Sequence, residues 1–62
     1  MTAEESLSRA ELLLERLDAT RAKLEATDDP EQAIELLTEL SDLAKEVQAE
    51  IERAKREADA HA

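Results

Sequence analysis

The chain has no cysteine, no glycine, no aromatic residue and a single proline. Each absence removes a class of function. Without cysteine there is no disulfide framework and no thiolate chemistry, and nothing points to secretion. Without glycine there is little licence for positive φ, which excludes the tight β-hairpin turns and glycine-rich phosphate loops that depend on it. Without aromatics there is no platform on which single-stranded bases can stack. No apolar run exceeds the three leucines at 12–14, far short of a membrane span. Met1-Thr2-Ala3-Glu4-Glu5 lacks the basic start and apolar stretch of a signal peptide. A cytoplasmic protein is the expectation, with neither cofactor nor small-molecule ligand.

What is present is charge and leucine. The 62 residues carry 17 acids against eight Lys and Arg, a formal net charge of −9. Seven of the acids (Glu25, Asp28, Asp29, Glu31, Glu35, Glu39 and Asp42) fall in one stretch that contains no base. Nucleic-acid binding draws most of its affinity from Lys and Arg, so direct binding is not expected of this chain. Its length allows one small domain, residues 1–62.

Two heptad ladders specify the architecture. The first is Ala3, Leu7, Ala10, Leu14, Leu17, Arg21 and Leu24. The second is Ala33, Leu37, Leu40, Ala44, Val47, Ile51, Ala54 and Ala58. Alternating steps of three and four keep a stripe on one side of a helix. Paired antiparallel, the ladders match Leu24 with Ala33, Arg21 with Leu37, Leu17 with Leu40, Leu14 with Ala44, Ala10 with Val47, Leu7 with Ile51 and Ala3 with Ala54. The midpoint of that pairing lies at Asp28–Asp29, just before Pro30. Pattern and proline thus place the same turn.

The expected fold is all-α, a two-helix antiparallel coiled-coil hairpin. Helix one runs over about 3–26, a turn over 27–29 and helix two over about 30–59, with His61 and Ala62 fraying. Thr2 with Glu5 has the spacing of a capping box. Asp29 is the cap of helix two, Pro30 its first residue, and Gln32 the partner in a second box. Glu5–Arg9 and Glu52–Arg56 are acid-first i,i+4 surface pairs.

Some leucines do not fit this seam. Leu13, Leu36 and Leu43 fall at g positions of the heptad and Ile34 at an e position, widening the apolar face beside the seam. Leu12 lies nearly opposite. A hairpin has one seam, so Leu12, Leu13, Ile34, Leu36 and Leu43 are expected to form an interface. A lone pair of helices also has a thin core for its length, and is expected to assemble into a bundle or dock on partner helices.

Chemistry-bearing residues are sparse. His61 lies one helical turn after Glu57, but at a chain end, where a packed Glu-x-x-His metal site has no second helix. Glu31, Glu35 and Glu39 form a carboxylate stripe that reads as a solvated acidic face. Ser6, Ser8 and Ser41 have no histidine partner, and no acid has a base or nucleophile fixed beside it. No catalytic, cofactor or metal residue is expected. Arg21, in the ladder opposite Leu37, is expected to extend its charged end towards Asp18 or Glu25, or towards an acid of a partner chain.

The succession Leu24-Glu25, Pro30, Glu31-Gln32-Ala33-Ile34, Leu36, Leu43-Ala44-Lys45, Ile51 and Ala54 resembles the small subunit of bacterial exodeoxyribonuclease VII, mainly over residues 24–54. The turn Thr27-Asp28-Asp29-Pro30-Glu31 is one residue shorter than that family's usual one and lacks its glycine. The resemblance implies a short acidic hairpin that is not itself catalytic. It would pack on the long coiled coil of a large subunit that degrades single-stranded DNA. The pattern alone leaves open a homo-oligomeric four-helix-bundle scaffold or a small regulatory protein-binding module.

Overall fold

A computed structural model describes residues 2–60 as two helices packed against each other, α1 (Ala3–Ala26) and α2 (Pro30–Ala60). The hairpin is 49 Å long and only 14 × 13 Å across. The fraying expected of His61 and Ala62 falls outside the described residues.

Both helix starts are capped by nearby side chains. Thr2 has extended backbone and accepts the Glu5 N–H on Oγ1 at 3.1 Å, while Glu5 Oε1 accepts from the Thr2 backbone N–H at 3.4 Å. At α2, Asp29 Oδ1 accepts the Glu31 N–H at 3.0 Å, and the Asp29 carbonyl accepts the Ala33 N–H at 2.9 Å. The second capping box expected from Gln32 does not close on Asp29. Instead the Thr27 hydroxyl donates to Gln32 Oε1 at 2.8 Å and accepts the Asp29 N–H at 3.3 Å. Thr27 is itself extended and donates its N–H back to the Leu24 carbonyl. The chain thus reverses with no residue at positive φ among those described, as a sequence without glycine requires.

The seam is rotated from the one expected. On α1 and its C-cap the buried and half-buried positions are Ala3, Ser6, Ala10, Leu13, Leu17, Thr20, Leu24 and Thr27. On α2 they are Ala33, Leu36, Leu40, Leu43, Val47, Glu50, Ala54 and Glu57, with Arg53 alone outside the two ladders. These ladders also step by three and four. Paired antiparallel, they give layers whose residue numbers all add to 60, so that Pro30 is the midpoint. Leu24 then meets Leu36, Thr20 meets Leu40, Leu17 meets Leu43 and Leu13 meets Val47. Ala10 meets Glu50 and Ser6 meets Ala54.

Leu17, Leu24, Leu40 and Val47 belong to the seam in either frame, but Leu7, Leu14, Leu37 and Ile51 do not. They are 49%, 49%, 54% and 43% exposed. Conversely Leu13, Leu36 and Leu43, expected on an outer interface, fill the seam. Leucines lie on both sides of the shared column, with Leu13, Leu36 and Leu43 on one flank and Leu7, Leu14 and Leu37 on the other, and a hairpin covers only two columns of each helix. A turn of about 50° about each helix axis exchanges one outer column for the other. The observed choice stacks leucine on leucine or valine in three layers near the turn. The rejected choice would set Leu24 on Ala33 and Leu14 on Ala44, and would bring the Arg21 charge into the seam opposite Leu37. In the observed seam Leu13, Leu36 and Leu43 are covered and Arg21 stays hydrated, while Ser6, Thr20 and Glu50 are buried.

Two of those three polar residues are accommodated locally. Thr20 donates its hydroxyl to the Arg16 carbonyl at 2.8 Å, which turns its methyl group inward. Ser6 is wholly buried beside Ala54, where only small side chains let the helices approach. Glu50 is the strained case.

Candidate protein-docking face

The rotation of the seam divides the hairpin into two unlike sides. One side is charged. Arg9 and Arg16 of α1 and Glu46 and Arg53 of α2 line a shallow cleft of about 640 Å³, with Leu12, Leu13 and Ala49 in its walls. Glu50 reaches this side from the seam. Its Oε1 lies 2.8 Å from Arg53 Nη1 and 3.6 Å from Arg9 Nη1, while its Oε2 is buried with no hydrogen-bond donor. A carboxylate with one oxygen paired and the other dry costs stability. Glu50→Leu should therefore raise the thermal midpoint, by the equivalent of about 1 kcal/mol or more, since leucine fills the space opposite Ala10 and both arginines remain hydrated. A lower midpoint by circular dichroism would show that the ion pair, and not the packing around it, supports this layer.

The opposite side is apolar. It carries the displaced column of each helix, Leu7 and Leu14 on α1 and Leu37, Ala44, Ile51 and Ala58 on α2, all exposed. In an antiparallel pair these columns border the same edge of the seam, so they form one face. From the Leu7 and Ile51 level to that of Leu37 it runs about 21 Å along the hairpin. Ile34, 64% exposed, extends it beside Leu37 towards the turn. The only charged member of the two columns is Arg21, near the turn end. Its Nε and Nη2 donate to Asp18 Oδ1 at 3.1 and 2.9 Å, and its Nη1 donates to Glu25 Oε1 at 2.6 Å. Hydrogen bonds to Asp18 and then Glu25 raise the guanidinium's pKa above its ordinary value. Its charge is neutralised within its own helix.

Of the five residues expected at an interface, only Leu12 and Ile34 are exposed, and they lie on different sides. The face is built instead from residues expected in the seam. The signal that identifies them is present in the sequence, because leucines flank the shared column on both sides and a hairpin leaves one flank uncovered whichever seam forms.

No group of three or more His, Cys, Asp or Glu among the described residues is arranged to hold a metal ion. Glu31, Glu35 and Glu39 are exposed on α2, and His61 lies outside the described residues. No helix among them is long and apolar enough to cross a membrane. No family model, curated protein or solved structure matches this chain, so its place is given by its geometry: a helical hairpin with one charged and one apolar side.

Proposed function

We propose that this hairpin is a non-catalytic assembly module that docks its apolar side on other helices. One observation carries the reading: Leu7, Leu14, Leu37 and Ile51 are each about half exposed on a single face. Isolated exposed leucines are ordinary, but a continuous apolar strip bounded by charge marks a contact surface. The absence of cysteine suits a reducing compartment, and the reading takes the protein to work in the cytoplasm.

A second reading gives the face a specific target, the coiled coil of a large subunit that degrades single-stranded DNA. A net charge of −9 and the lack of aromatics suit a subunit that leaves DNA contact to its partner. Of the residues that carry the resemblance, Leu24, Ala33, Leu36, Leu43 and Ala54 pack inside the hairpin, while Ala44 and Ile51 lie on the face and Ile34 extends it. The shared pattern therefore describes mostly how such a hairpin is built.

Photo-crosslinking in cells tests the docking reading. A photoreactive residue in place of Leu37 should give discrete protein adducts, with the same chain or another, and one in place of Lys45 should give none. Equal yields at both positions, or no adduct at Leu37, would sink it.

A further inference from the structure

We propose that the occupant of the apolar face is a second copy of this chain, stacked with both turns at the same end to form a four-helix bundle. This inference rests on the docking reading above and adds the identity and orientation of the partner.

Two face-to-face arrangements are related by a twofold axis lying between the layers. With the turns together, α1 of each copy lies on α2 of the other. With the turns at opposite ends, α1 lies on α1 and α2 on α2. The side chains distinguish them by volume. With the turns together, Leu14 of each copy lies over Ala44 of the other, and Leu7 over Ile51. Large residues then fall on small ones at the centre of the face, the complementarity that close packing rewards. With the turns apart, Leu14 falls on Leu14 and Ala44 on Ala44, which crowds one helix pair and leaves a gap in the other.

Charge favours the same arrangement. The outer rim of the face on α1 is Glu4, Glu11, Asp18 and Glu25, all exposed. The rim on α2 is Ile34, Ser41, Gln48 and Lys55, also exposed and without an acid. With the turns together, Glu4 comes level with Lys55 of the second copy, Glu11 with Gln48, Asp18 with Ser41 and Glu25 with Ile34. With the turns apart, Glu4 meets Glu25 and Glu11 meets Asp18 along a whole edge, and like charges placed opposite one another are repulsive. Bringing the turns together does gather the base-free acidic stretch of both copies, Glu25, Asp28, Asp29, Glu31, Glu35, Glu39 and Asp42, at one end. All seven are exposed, where salt screens them, and none lies in the two apolar columns.

The two Arg21 side chains would lie near the turn end of the bundle, each already paired with Asp18 and Glu25. Size is also adequate. A whole side of the hairpin, 49 Å long and 14 Å wide, approaches the ~800 Å² per partner of a standard stable interface, with the apolar strip of about 21 Å as its centre and the polar rims making up the rest.

The test combines mass with single-cysteine pairing, which the cysteine-free chain makes clean. Sedimentation equilibrium of the purified chain at micromolar concentration should give twice the 6.9 kDa chain mass. Under mild oxidation, Leu14→Cys chains mixed with Ala44→Cys chains should form the mixed disulfide dimer in high yield. Leu14→Cys chains alone should give little. A folded monomer, or a mass above that of a dimer, overturns the proposal. So does efficient Leu14→Cys self-crosslinking, which would put the turns at opposite ends. A folded monomer whose photoreactive Leu37 variant still captures another protein removes the second copy as occupant and leaves the docking reading standing. A folded monomer with no adduct removes both.

Discussion

Leu43→Ala should destabilise the hairpin by about 2–5 kcal/mol, a large fraction of what so small a domain can hold. Leu43 is only 4% exposed and lies in the layer with Leu17. Leu37→Ala removes the same atoms from a side chain that is already half in water. Measured by denaturant unfolding at the lowest workable concentration, where assembly contributes least, it should cost well under half as much. The comparison decides between the two seams directly, because the alternative frame places Leu37 inside and Leu43 at the edge. A larger loss from Leu37→Ala would mean that the helices are rotated the other way.

The second large effect is expected at the apolar face. The pair Leu14→Glu with Leu37→Glu should weaken assembly by roughly 100-fold or more, since each would bury a carboxylate at an apolar contact. The dependence of the thermal midpoint on protein concentration should vanish with it. Leu12→Glu is the control. Leu12 is 60% exposed, but it borders the charged cleft on the other side. It should change neither association nor its concentration dependence. If Leu12→Glu disrupts assembly as strongly as the face variants, the contact surface is the charged side.

The hairpin itself was legible in the sequence. Thr2 with Glu5 marks the start of α1, and Asp29 with Pro30 marks that of α2, because capping chemistry is local and does not depend on tertiary contacts. The rotation of the helices was not. Ala3, Ala10, Leu17 and Leu24 on α1, and Ala33, Leu40, Val47 and Ala54 on α2, are common to both seams. The choice lay between two flanking columns, of which the one that stays outside is the more apolar. A pattern of leucines weighs Leu7, Leu14 and Ile51 above Ser6, Thr20 and Glu50, and so selects the wrong column. What it omits is collective. Three of the four layers from Leu24 to Leu13 pair large side chains, with Arg21 kept in water, and this depends on which residues meet across the hairpin. The rotation sets the docking face as well, since whatever the seam does not take becomes the surface.

The seam also changes character along its length. Beside the turn it is leucine against leucine, with Leu24 on Leu36 and Leu17 on Leu43. Beyond Leu13 and Val47 it narrows to Ala10, Ser6 and Ala3 against Glu50, Ala54 and Glu57. This gradient gives folding a direction. The contact between Leu24 and Leu36 closes the shortest loop for the most apolar area, so it forms at the least entropic cost. The distal half gains little from each further layer and carries a buried carboxylate, so it docks last and exchanges its amide hydrogens first. The two long arms should therefore act as tongs joined at the 27–29 turn, closing from the turn outward and opening from the tips, with the Leu24–Leu36 grip the last to let go.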